Sequence, residues 1–242
     1  MDFTLSKYKE LLLALKDYGD IFLRHDVDLN PQNSLRTAQI EQELGWRATY
    51  YFRAVPESWD ESVILEIASM GHEIGYHYES LTTCDGAMEA AYLDFCRNLE
   101  KLRALVPVTS ICMHGSPRSK WDSRDLWNHY DYHALGIDKE PYLDTDFSKV
   151  FYLTDTGRRW DGFKVSVRDK IPVFQEQWIS QGLVYHATDD IIRAIREKRF
   201  PRQAMITTHP QRWTDNRCQW LAEWASQSVK NVVKRCIVKK NN

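Results

Sequence analysis

Short runs of β-branched and aromatic residues alternate with amphipathic helical stripes along almost the whole chain, and this alternation constrains the fold more than any other feature. Asp20 to Val27 (DIFLRHDV), Ala48 to Val55 (ATYYFRAV), His72 to Tyr78 (HEIGYHY), Val106 to Met113 and Ala204 to Thr208 (AMITT) read as strands. Between them, Leu5, Tyr8, Leu11, Leu12 and Leu15, and later Met88, Ala91, Tyr92, Phe95, Leu99 and Leu102, recur at helical spacing. Gly45 and Gly71 close two of the helices. Weaker strand signals lie near Tyr132 to Gly136, Val150 to Leu153 and Leu183 to His186, and Trp121 to Arg168 is irregular and aromatic. Strands separated by helices make βα units and a mainly parallel sheet. No linker, internal repeat or low-complexity stretch divides residues 1–242, so the expectation is one α/β domain.

Composition narrows the function classes. Hydrophobic residues make up 43% and charged residues 27%, which is ordinary globular usage and excludes a disordered or fibrous chain. Lys and Arg number 32 against 34 Asp and Glu, a formal charge of −2, so nothing electrostatic argues for nucleic acid. No apolar run approaches the roughly 18 residues of a membrane span. MDFTLSKYKELLLALKDYG carries acidic residues and lacks the small-residue cleavage site of a signal peptide. Five widely spaced cysteines with no CxxC pair point to reduced thiols and a cytoplasmic location. Nine Trp and twelve Tyr supply core, and rings on which sugars stack.

Groups able to do chemistry gather where strands end. The first strand ends in His25-Asp26-Val27-Asp28, the third in His77-Tyr78-Glu79, the fourth in His114-Gly115 and the last in His209-Pro210. In parallel α/β folds the carboxyl ends of the strands converge on one face, where active sites form. Asp26 and Asp28 are two apart, hence on one side of an extended strand. Two such carboxylates repel unless a cation separates their roles, one ligating and the other taking a proton from water. With the imidazoles of His77 and His114 they make a His/His/Asp set, which suits zinc, iron or nickel better than calcium.

The runs LRHDVD, GHEIGYH and TTHP resemble the signature blocks of the polysaccharide deacetylase family, carbohydrate esterase family four. The resemblance spans about residues 20 to 213 and implies a single-domain irregular (β/α) barrel of about seven strands. It implies Asp26 as catalytic base and Asp28 as metal ligand, although Val27 splits the family's adjacent pair. It implies His77 as a second ligand, but Leu81 stands where the family has a further His. His114 is our first choice for the third ligand and Glu79 the second. MHGSPR, with Arg118, occupies the place of the Arg-containing block. His209 matches the general acid, and YLTDTGRRWDG matches the block in which Asp155 orients catalytic residues and Trp160 lines the pocket.

Further residues extend this reading. Arg158 and Arg159 can hold a carboxylate or phosphate of the substrate or simply be solvated at the surface, and Trp213, four residues after His209, reads as helix-packing core in preference to a wall of the pocket. Cys112, two before His114, reads as a buried structural thiol in preference to a nucleophile. The basic tail from Lys230 to Lys240 reads as a solvated helix end. The expected activity is metal-dependent hydrolysis, zinc being the first choice of divalent ion, removing an acyl group, acetyl first, from an amino sugar or polysaccharide precursor. The alternatives are a non-catalytic carbohydrate-binding protein on the same fold, and a metal-dependent amidase acting on a non-sugar amide. Nothing in the sequence fixes the oligomeric state.

Overall fold

A computed structural model describes residues 1–116, 119–164, 166 and 168–240. The chain runs α1 (Leu5–Leu15), β1 (Asp20–Val27), α2 (Pro31–Glu43), β2 (Ala48–Phe52), α3 (Glu61–Ser69), β3 (Glu73–Tyr78), α4 (Ser80–Thr83), α5 (Met88–Arg103) and β4 (Ile111–Met113). It continues through α6 (Pro141–Asp144), β5 (Phe151–Thr154), α7 (Pro172–Ser180), α8 (Thr188–Arg196) and β6 (Gln203–Thr208) to α9 (Arg217–Lys240). All strand pairs are parallel, in the order β4-β3-β2-β1-β6-β5.

The sheet curls into a half-barrel of six strands, which corrects the expected seven-strand barrel. Beyond β4 a single parallel bridge joins Ser110 to Lys139. Pro141 then opens α6, so the extended run stops. From there to β5, side chains replace backbone pairing, with the Tyr142 and Tyr152 hydroxyls 3.3 Å apart across the opening. β4 is also shorter than the expected Val106 to Met113, because Pro107 has no N–H to give a ladder. The segments near Tyr132 and Leu183 form a 3₁₀ turn and a loop, not strands. No helix of the described residues is long and apolar enough to cross a membrane. Cys84, Cys96, Cys112 and Cys218 are free thiols.

The alternation along β1 sends its residues to two environments. Leu23, His25 and Val27 take the helix side, where His25 packs against Tyr8 of α1 and Tyr50 of β2. His25 Nε2 is 2.7 Å from Glu41 Oε1 and its Nδ1 is 2.7 Å from Thr208 Oγ1. The Tyr8 and Tyr50 hydroxyls also donate to Glu41, so α2 is tied to the sheet through a wholly buried carboxylate. Arg24 and Asp26 take the opposite, concave side, with Tyr51, Cys112 and Tyr142 around them. That concave side leads up to the strand ends and the site.

Candidate metal centre and its surroundings

Four strand ends deliver their chemistry to one point. β1 stops at Val27, and the Asp28 N–H turns back onto the Asp26 carbonyl at 3.1 Å. Asp28 therefore leaves the strand, yet its carboxylate still meets the imidazole that faces Asp26. His77 Nε2 is 3.6 Å from Asp28 Oδ1 and 3.8 Å from Asp26 Oδ2. His114 follows β4, its N–H bonded to the Tyr78 carbonyl at 2.8 Å, and its Nε2 is 3.5 Å from the same Asp28 Oδ1. His209 follows β6 with its Nε2 3.8 Å from Asp28 Oδ2.

Each of these imidazoles is held at its other nitrogen. His77 Nδ1 donates to the Cys112 carbonyl at 2.9 Å, His114 Nδ1 to Glu79 at 2.8 Å, and His209 Nδ1 to Asp155 at 2.6 Å. Such tethers fix tautomer and ring orientation and leave Nε2 free to ligate or to move a proton. Glu79, the alternative third ligand, is engaged by His114 and by Arg53, which hold its carboxyl down to about 2 against the upward pull of burial. Asp155 accepts from the His209 N–H and ring, from Arg212 and from the Trp213 indole.

Asp26 is gripped side-on by Arg24, Nε and Nη2 donating at 2.9 and 2.7 Å. Burial would raise the Asp28 carboxyl, but His114, His77 and His209 around it hold it well below the usual carboxylate range. For His209 the carboxylates of Asp155 and Asp28 outweigh burial and Arg212 and raise the imidazole.

Whether these residues suit a metal ion turns on Asp28. Its Oδ1 is buried and has no hydrogen-bond partner among the described residues, while Gln211 donates to Oδ2 at 3.3 Å. Donor atoms about 2.0–2.2 Å from one tetrahedral ion lie roughly 3.4 Å apart, close to the 3.5 and 3.6 Å found here. The distances from Asp28 to His77 and to His114 therefore match the spacing of two ligands on one divalent ion. A tighter trio, Asp26, His77 and Cys112, has its ligand-type atoms within 4.8 Å of one another. There Arg24 already neutralises Asp26, and burial pushes the Cys112 thiol well up. A thiol must lose its proton to ligate, so we favour the Asp28 set.

The three residues expected on the substrate are all engaged by the protein itself. Trp160 is 2% exposed and bonds Thr188, and Trp213 is 1% exposed against Phe3 and Tyr8. Both indoles are core, because a large ring next to a strand end can turn either way. Arg159 pairs with Asp161 in a separate cleft. Leu81 is buried in α4, and Arg118 lies outside the described residues. Arg24 went unpredicted although it stands two before Asp26, a period-two signal. Asp169, 4.0 Å from His209 Nε2, directly follows the irregular segment and leaves no such trace.

No family model and no curated protein matches the chain. Among solved structures it is similar to a CE4 family pseudoenzyme from Bacillus anthracis, at 11% identity over 86% of this chain and 60% of that one, with a TM-score of 0.43. A mutant of that pseudoenzyme matches at 12%, 86%, 62% and 0.43, and one described as having restored enzymatic activity at 11%, 86%, 61% and 0.42. The chain thus spans about three fifths of the length of these structures.

Proposed function

We propose that this chain hydrolyses the amide joining an acyl group, acetyl first, to an amino sugar or polysaccharide precursor, with a divalent ion, zinc first, held by Asp28, His77 and His114. The observation that carries the reading is the convergence of three Nδ1-tethered imidazoles, with Nε2 atoms 3.5 to 3.8 Å from the Asp28 carboxylate. A bound divalent ion polarises the amide carbonyl and makes water a nucleophile near neutral pH. Asp26, kept ionised and aimed by Arg24, takes the proton of the attacking water. His209, held by Asp155, gives its Nε2 proton to the leaving nitrogen.

A second reading, a non-catalytic carbohydrate-binding protein, draws on Leu81 at the place of the family's second His and on Arg24 occupying both Asp26 oxygens. Metal analysis of the purified protein, with acetate release from an N-acetylglucosamine oligomer, separates the two. Stoichiometric metal and acetate release, both lost in His77→Ala, support the hydrolase. Metal-free protein that binds the oligomer without releasing acetate establishes the second reading. Bound metal with no release from any amino sugar points to a non-sugar amide as substrate.

A further inference from the structure

Two carboxylate oxygens lie beside His209 Nε2, just beyond hydrogen-bond reach: Asp28 Oδ2 at 3.8 Å and Asp169 Oδ2 at 4.0 Å. Asp28 belongs to the metal centre, whereas Asp169 is fixed by contacts of its own. Its N–H donates to Ser166 Oγ at 2.8 Å, the Thr156 hydroxyl donates to Oδ2 at 2.6 Å and the Tyr142 hydroxyl to Oδ1 at 3.3 Å. Arg168 beside it donates to Asp122 at 2.8 Å and to the carbonyls of Ser119 and Trp121. Gly115, next to His114, lets this pair come close, since a Cβ there would lie 2.7 Å from the Arg168 Cβ and 3.5 Å from Asp169 Oδ1. Asp169 therefore stands at the ends of β4, β5 and β6 together.

Its contacts leave this carboxylate with acceptor capacity to spare. Each carboxylate oxygen can accept about two hydrogen bonds, and each accepts one here. Among the described residues no lysine or arginine pairs with Asp169, whereas Arg24 covers Asp26, Arg53 covers Glu79 and Arg212 covers Asp155. The Asp169 side chain is 17% exposed, so it is not sealed off as Glu41 and Asp155 are, at 0%. An atom roughly 2.9 Å from both Asp169 Oδ2 and His209 Nε2 would see them about 90° apart. That suits a nitrogen made tetrahedral by attack on its acyl carbon, which carries one hydrogen and one lone pair pointing in different directions. The hydrogen needs an acceptor and the lone pair a donor.

We infer that Asp169 accepts the N–H of the scissile amide and so turns the nitrogen's lone pair toward His209, which makes the site selective for N-acyl over O-acyl groups; this rests on the hydrolase reading above. Asp26 takes a proton from the attacking water, the C–N bond breaks, and the nitrogen takes the His209 proton and leaves as an amine, its original hydrogen still on Asp169. An ester oxygen has no hydrogen to give and presents only lone pairs, which a carboxylate repels. Acetate release from an N-acetylglucosamine oligomer, set against hydrolysis of 4-nitrophenyl acetate by the zinc-loaded full chain, tests this. In Asp169→Ala the amide-to-ester ratio of kcat/KM should fall roughly tenfold or more, and zinc should still raise the melting temperature. If that variant does not fold, Asp169→Asn, equal in size with a neutral head, carries the comparison. A ratio equal to that of the wild type overturns the inference, as does a wild type that cleaves the ester alone. Loss of the zinc effect also overturns it, by making Asp169 a metal ligand. If the wild type cleaves neither compound the hydrolase reading fails by itself, and calorimetry with the oligomer then decides. The variant should bind it roughly tenfold more weakly, and equal binding, or binding by neither protein, overturns the inference.

Discussion

Burial alone would push the Asp26 carboxyl above the usual carboxylate range, but Arg24, with His77 and His209 beyond it, holds it below. A base that stays ionised needs orientation more than basicity, and the side-on clamp supplies it. Asp26→Asn keeps the size of the side chain and removes the proton acceptor, so turnover should fall roughly 10²-fold or more while metal content is unchanged. If metal is lost in that variant and kept in Asp28→Asn, the two carboxylates have each other's roles. The residues of this cluster were legible because strand ends are: Asp26, Asp28, His77, His114 and His209 each stand at or within two residues of a strand terminus. Trp160 and Trp213 were not, since sequence gives the position of a ring but not the direction it turns.

Among elements, the clearest fit between sequence and structure lies in β1, β3 and β6, whose runs have no internal proline and keep their period. α7 left no trace, because Trp178 is its one buried residue and no stripe forms. Gly75 of β3 explains one close approach: a Cβ there would meet the Tyr51 ring at 2.4 Å and the Ser110 carbonyl at 2.9 Å. Gly75→Ala should therefore cost about 1–3 kcal/mol in denaturant unfolding by overpacking, and a cost near zero would mean the Tyr51 ring moves aside freely. α2 makes a separate prediction through Glu41. Burial raises its carboxyl, but His25, Tyr50 and Tyr8 more than offset this and hold it below 4.5. A depressed folded value stabilises the protein above about 4.5, and that contribution is lost as pH falls through the lower folded value. Glu41→Gln should cost about 3 kcal/mol at neutral pH and flatten the acid limb of stability against pH. An unchanged limb would remove Glu41 as its source.

At the scale of the whole molecule, the half-barrel ends in β4 and β5 at its two edges, so the site is assembled by strands that the sheet alone does not close into a ring. Asp28, His77 and His114 come from the ends of β1, β3 and β4, and an ion bound to all three would tie one edge of the sheet to its centre. An ion that binds only the folded chain stabilises it by mass action, about 2.7 kcal/mol when free metal is a hundred times its dissociation constant. In a chain of this size 1 kcal/mol moves the melting temperature by about 2–4 °C, so zinc should raise it by roughly 5–10 °C and chelation should reverse the rise. The variants then discriminate between the two candidate ligand sets, which share His77. His77→Ala should abolish the shift under either. Cys112→Ser should keep it and Asp28→Ala lose it if Asp28, His77 and His114 hold the ion. The reverse pattern would move the ion down into the concave face, onto Asp26, His77 and Cys112, where it would compete with Arg24 for Asp26 and leave that carboxylate unable to act as the base. A wild-type melting temperature indifferent to both zinc and chelator would remove the metal from either position.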